Sequence, residues 1–149
     1  MTLLSNLHAT AIVIGTRGIL FLGPSGAGKS MLALACIDAA RQAGQFSALI
    51  ADDQVFLENA NGCTIVKRPP ATAGLLEIRH SGIVSLASVD AAVLHMAVRI
   101  VERNDAERMP PAFETYSLPS GLELPLIRVA ADALAPLAVL AALAPDFAR

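Results

Sequence analysis

The segment Gly23-Pro24-Ser25-Gly26-Ala27-Gly28-Lys29-Ser30 constrains this chain more than any other, because it satisfies the pattern G-x-x-x-x-G-K-[ST]. Each residue type has a physical task there. The glycines let the backbone come close to a ligand, and successive N–H groups, with the positive end of a following helix, cradle phosphate oxygens. Lys29 can reach β- and γ-phosphates, and the Ser30 hydroxyl can hold Mg²⁺. A chance match in a chain of this length is on the order of one in two hundred from average residue frequencies. Lys29 is also one of only two lysines in the chain. A nucleotide-binding P-loop is therefore expected over residues 23–30, with Gly23, Pro24, Ser25, Gly26, Ala27, Gly28, Lys29 and Ser30 around the phosphates.

The flanks suit that reading. Ala11–Ile14 and Ile19–Leu22 are short apolar runs around Gly15-Thr16-Arg17-Gly18, which predicts a β-hairpin. Met31–Ala43 is rich in Ala and Leu and stops at Gly44, as a helix would. Strand, glycine loop and helix follow in order. Ser47–Ala51 predicts a buried strand that ends in Asp52-Asp53. Val55–Leu57 and Thr64–Val66 flank Asn59-Ala60-Asn61-Gly62, a hairpin signal, and Pro69-Pro70 stops regular structure.

Further on, Leu94–Ile100 predicts a half-buried strand, with Leu94, Met96, Val98 and Ile100 on one face. Tyr116–Leu118 and Leu122–Val129 bracket Pro119-Ser120-Gly121 as another hairpin, and Asp132–Leu143 predicts an apolar helix. Hairpins with about two helices do not give the regular alternation of an all-parallel sheet. The expected fold is α/β, one P-loop domain over residues 1–149 with a mixed, hairpin-containing sheet.

Composition enters as a set of exclusions. Hydrophobic residues are 54% and mean hydropathy is +0.57, yet Val129–Pro145, the longest apolar stretch, is broken by Asp132 and Pro136. It falls short of the roughly 20 residues a membrane span needs. No basic residue precedes the first apolar run, so no secretory signal is expected and the cytoplasm is the expected compartment. Net charge is −2 with dispersed arginines, which excludes the basic footprint of a nucleic-acid binder. Cys36 and Cys63 have no C-x-x-C spacing and read as free thiols.

Phosphoryl transfer needs a carboxylate for the metal and often another to take the acceptor proton. Asp52 and Asp53 lie where an adjacent strand could meet the P-loop, and both are candidates, with the division between them open. Glu77 and Arg79 would share a face if Leu75–Arg79 is extended; a surface ion pair is the alternative. His8 lies just before the first expected strand. No metal-ligand spacing links His8, His80 and His95.

The order His8, P-loop, Asp52-Asp53 and Gly74-Leu75-Leu76-Glu77-Ile78-Arg79 resembles the catalytic domain of the HPr kinase/phosphorylase family, bacterial enzymes that phosphorylate a serine of the phosphocarrier protein HPr. The similarity runs from about His8 to Val84. The short form looks like the type found in α-proteobacteria. The resemblance implies a core like that of phosphoenolpyruvate carboxykinase, a homo-oligomer (hexameric in longer members), and ATP and Mg²⁺ as cofactors. It implies catalytic roles for Lys29, for Asp52 or Asp53 as acceptor of the serine proton, and for His8 near the reacting phosphate. It also implies that Glu77 and Arg79 help place metal or phosphate, giving Ser30, Asp53 and Glu77 as the metal set.

Family members can also use inorganic phosphate to remove the phosphate from HPr. The mobile segment tied to that activity should fall near Pro125–Ala135, where this chain has Leu126-Ile127-Arg128-Val129-Ala130, with Arg128 as its only counterpart to Gly-Arg-Asn. The expected function is thus an ATP-dependent serine kinase acting on HPr or a paralogue. Two alternatives stay open, a small-molecule kinase on the same scaffold and a nucleotide-sensing module without transfer.

Overall fold

The computed structural model describes residues 4–104 and 107–144. Eleven strands, two α-helices and one short 3₁₀ turn are found among them. The chain begins with β1 (Leu4–Leu7), then β2 (Thr10–Ile14) and β3 (Arg17–Leu22) form the first hairpin. Its loop is only Gly15-Thr16, since Ile14 pairs with Arg17, and Gly15 takes φ 62° in the turn. After the glycine loop comes α1 (Lys29–Gln42), then β4 (Ser47–Ala51), β5 (Val55–Ala60) and β6 (Cys63–Lys67). Asn61 and Gly62 both have positive φ, 51° and 79°, as a two-residue hairpin loop requires.

The 3₁₀ turn Pro70–Thr72 leads into β7 (Leu75–Ile78) and β8 (Gly82–Ser85), a two-stranded sheet of its own. The long strand β9 (Ala91–Val101), the hairpin β10 (Thr115–Ser117) with β11 (Glu123–Ala130), and α2 (Pro136–Leu143) complete the described chain.

The main sheet is mixed and is organised by β9, which has two different neighbours along one edge. Its first residues pair antiparallel with β6 and its last ones parallel with β11. Its other edge pairs parallel with β3. The path then runs β3, β2, β4 on one side and β6, β5, β1 on the other. Two apolar cores result, one on each face. Ile12, Ile14, Ile19, Phe21, Met96, Val98 and Ile100 face α1. Ala11, Val13, Leu20, Ile50, Leu57, Val66, Leu94 and Ala97 form the other core.

Helix α1 lies where its residue spacing puts it. Leu32, Ala33, Cys36, Ile37 and Ala40 recur at helical intervals and are buried in the first core. The helix ends at a left-handed glycine, Gly44 with φ 79°; the Gln45 N–H donates to Ala40 O and the Gly44 N–H to Arg41 O. That arrangement satisfies the last carbonyls of the helix.

Several expectations need correction. His8 does not precede the first strand, because β1 lies before it. The final helix starts at Pro136, not Asp132, with proline at a first-turn position where no N–H is needed. Strand β9 is buried on both faces over its middle rather than half-buried. Leu94 also leaves the face of Met96, Val98 and Ile100: Gly18 pairs with Leu94 but Ile19 with Met96, so His95 is an extra residue that reverses the alternation.

Gly18 sits at that bulge, where a Cβ would come within 2.6 Å of the Val93 carbonyl oxygen. Gly18→Ala should therefore cost about 1–3 kcal/mol by urea denaturation, and an unchanged midpoint would contradict the close approach. Burial pushes the Cys36 thiol up to about 12. A thiol reagent should thus label one cysteine, the exposed Cys63, in the native protein and Cys36 only on unfolding. Counting labels before and after denaturant checks this.

Candidate functional site

Strand direction assembles the site. Strands β3 and β4 both run antiparallel to β2, which lies between them. The start of β2 therefore meets the ends of β3 and β4 at one edge of the sheet. His8 and Thr10, the glycine loop after Leu22, and Asp52-Asp53 converge there. Ile12 and Ile14 point toward α1, so Thr10, two residues earlier, shares that face. Ala51 belongs to the opposite core, which leaves Asp52 directed to the α1 side, where Ser30 opens the helix.

The loop itself is a cradle of backbone. Gly26 and Gly28 adopt φ 83° and 104°, conformations that favour glycine. No side chain caps the start of α1, so its first N–H groups are left for a ligand. Lys29 is buried, and its ammonium donates to Gly23 O at 2.7 Å and Pro24 O at 3.1 Å, which fixes it against the loop. An ammonium has three donors. Over the loop lies Arg79, whose Nη1 would be 3.0 Å from a Cβ placed on Gly26.

Asp52 is the junction. Its Oδ1 accepts from Ser30 Oγ at 2.6 Å and from Thr10 Oγ1 at 3.0 Å, and its Oδ2 accepts from the Glu77 N–H at 3.0 Å. Asp53 faces elsewhere. It is a non-glycine residue with φ 69°, its N–H donates to Thr10 Oγ1 at 3.2 Å, and its carboxylate lies 3.1 Å from His8 Nε2. Glu77 and Arg79 reach the site through β7, which Leu76, fully buried in the first core, anchors. Alternation then leaves Glu77 exposed on the site side. Arg79 is not on the strand but in the turn after it.

Ser25, Gly26, Gly28, Lys29, Ser30, Met31, Asp52, Asp53, Glu77 and Arg79 line a cavity of about 120 Å³. A larger apolar cavity, about 520 Å³, lies between α1 and α2, away from these groups. The charged groups and the glycine loop line the smaller one. Arg128 is not in its lining; it forms a bidentate pair with Glu114, both bonds 2.8 Å. That pairing holds the Arg128 guanidinium above its usual range and the Glu114 carboxyl below.

The sequence reasoning missed Thr10, which is fully buried and touches both aspartates. Its signal was present: a hydroxyl two residues before Ile12, in phase with the strand face that meets α1. It also placed Asp53 with Ser30 in the metal set, whereas the residue against Ser30 is Asp52.

The donor set suits Mg²⁺ bound jointly with phosphates. A serine hydroxyl and a carboxylate oxygen in contact are hard ligands, and the uncapped helix start supplies N–H groups for anions. No group of three metal-ligating side chains occurs among the described residues. Mg²⁺ is commonly held by one or two carboxylates together with phosphate and water rather than by an all-protein cage. No helix among the described residues is long and apolar enough to cross a membrane.

Residues 1–106 match the family model described as HPr Serine kinase C-terminal domain. The HPr kinase/phosphorylase of Cupriavidus metallidurans is 32% identical over 143 residues, covering 90% of this chain and 42% of that protein. That of Clostridium beijerinckii is 30% identical over 115 residues, covering 70% of this chain and 36% of that protein. The chain thus spans less than half the length of either relative. In structure, the Hpr(Ser) kinase/phosphatase from Coxiella burnetii superposes with a TM-score of 0.77 at 24% identity, over 95% of each chain. That likeness bears out the mixed α/β fold. With the family model matching more than two thirds of its length, this chain belongs to the HPr serine kinase C-terminal domain family.

Proposed function

We propose that this chain is a single P-loop kinase domain that transfers the γ-phosphoryl group of ATP, with Mg²⁺, to a serine of the phosphocarrier HPr or a paralogue. The cytoplasm and a homo-oligomeric state belong to the same reading. One observation carries it: two adjacent carboxylates face different partners, Asp52 the P-loop serine and Asp53 an exposed histidine. A nucleotide sensor needs the first arrangement and has no use for the second. The names of the Cupriavidus and Clostridium relatives support the choice of HPr.

The roles follow from position. Loop N–H groups and Lys29 bind the β- and γ-phosphates, and Arg79 adds charge above Gly26. Ser30 and Asp52 hold the metal, with Glu77 beside them, which assigns to Asp52 the place first expected for Asp53. Bound there, Mg²⁺ would neutralise charge on the phosphate oxygens. Asp53, oriented by His8, takes the proton of the acceptor hydroxyl as the serine oxygen bonds to phosphorus and the bond to ADP breaks. Asp53 and His8 are both exposed beside the loop, so the hydroxyl of a docked protein could reach them.

Incubation with Mg²⁺, γ-labelled ATP and the HPr of the same organism should give acid-stable phosphoserine on HPr. Lys29→Ala should lower the rate by at least about 10²–10³, and an unchanged rate would overturn the reading. Asp53→Asn should lower kcat by about 10²–10⁴ with nucleotide binding retained, measured by titration with a fluorescent ATP analogue. ATP binding by the wild type without transfer to HPr would favour the sensor. Adding inorganic phosphate to phospho-HPr tests the reverse reaction in the same assay.

A further inference from the structure

We propose that Thr10 is a positioning residue for phosphoryl transfer, its single hydroxyl setting the directions of both aspartates; this rests on the kinase reading above. A threonine hydroxyl has one proton and two lone pairs. Here the proton goes to Asp52 Oδ1 at 3.0 Å, and the oxygen accepts the Asp53 N–H at 3.2 Å. The residue is fully buried at the start of β2. Thr10 carries the only polar side chain of that strand.

The two bonds are not of equal consequence. Asp52 has two further donors, Ser30 Oγ and the Glu77 N–H, so its carboxylate stays at the loop without Thr10. The Asp53 backbone has a left-handed φ of 69°, a conformation that aspartate tolerates better than most non-glycine residues but at some cost. The bond from its N–H to Thr10 opposes relaxation of that turn. The turn is what sends the Asp53 side chain toward His8 rather than along its neighbour's path. Loss of the hydroxyl should release Asp53 and leave Asp52 in place. A displacement of the base by even 1 Å can cost up to about 10²-fold in rate.

Thr10→Val keeps the shape and removes the hydroxyl, and Thr10→Ser keeps the hydroxyl. In the nucleotide-free protein, hydrogen exchange at the Asp53 amide should speed by roughly 10-fold or more in Thr10→Val and stay slow in Thr10→Ser. In the HPr assay, Thr10→Val should lower kcat by about 10- to 100-fold with the KM for ATP nearly unchanged. Thr10→Ser should restore kcat. Should Thr10→Val not fold, as judged by its melting transition, Thr10→Ala replaces it.

A folded Thr10→Val protein with wild-type amide exchange and wild-type kcat would overturn the proposal. So would a Thr10→Ser protein as impaired as Thr10→Val. If the wild type transfers nothing to HPr, the kinase reading fails by itself, and the exchange data still decide whether Thr10 fixes the Asp53 turn.

Discussion

The carboxylate of Asp52 is the interaction on which the site depends. It receives donors from three different elements: Thr10 of β2, Ser30 of α1 and the backbone of Glu77 in β7. Hydrogen bonds to a charged group contribute roughly 1.5–3 kcal/mol each, and partial exposure puts these toward the lower end. Their larger effect is geometric. The β7–β8 hairpin is a separate two-stranded sheet, fixed to the body by Leu76 in the core, by Ile78 and Val84 packed against it, and by the bond from Glu77 to Asp52. Two-stranded hairpins are marginal alone. Asp52 therefore joins the element that carries Glu77 and Arg79 to the loop that would bind phosphate.

That junction forms only because of strand direction. In a regular α/β sheet the strand next to the P-loop strand is parallel and contributes its carboxyl end to the ligand edge. Here β2 is antiparallel and lies between β3 and β4, so its amino-terminal end arrives at the same edge. A residue before the P-loop in sequence, His8, can thus meet Asp53, which follows it by 45 positions. The hairpin loop of Gly15-Thr16 makes this possible at the opposite edge, where it is held by the Gly15 N–H donating to Phe46 O at 2.8 Å.

Much of this was legible in the residues and some was not. The glycine loop between a strand and a helix, and Asp52-Asp53 at a strand end, follow from local patterns that the structure keeps. The hairpins at Gly15-Thr16, Asn61-Gly62 and Pro119-Ser120-Gly121 were marked by turn chemistry, which acts within a few residues. What was missed depends on distant partners. Strands β1 and β8 are four residues each and take their extended form from pairing with β5 and β7. The slip at His95 arises from the register between β3 and β9, so period-two reasoning placed Leu94 on the wrong face. Thr10 lies just outside the run Ala11–Ile14 expected as a strand, yet it begins β2. Its role appears only when β4 brings Asp52 alongside.

The separation of the two aspartates also has a cause in the backbone. Consecutive carboxylates left to face one ligand would repel, by roughly 4 kcal/mol at 4 Å and an effective dielectric of 20. A regular strand would already direct adjacent side chains to opposite faces, but it would send Asp53 into the second core, where an unpaired charge is costly. The strand ends at Ala51, and the left-handed turn at Asp53 opens a third direction, outward along the sheet edge to His8. One acid is then satisfied by donors at the loop, and the other stays exposed beside a histidine. A binding loop and a strand end therefore give two chemically distinct carboxylates from adjacent positions, which the fold could not do if β4 continued straight.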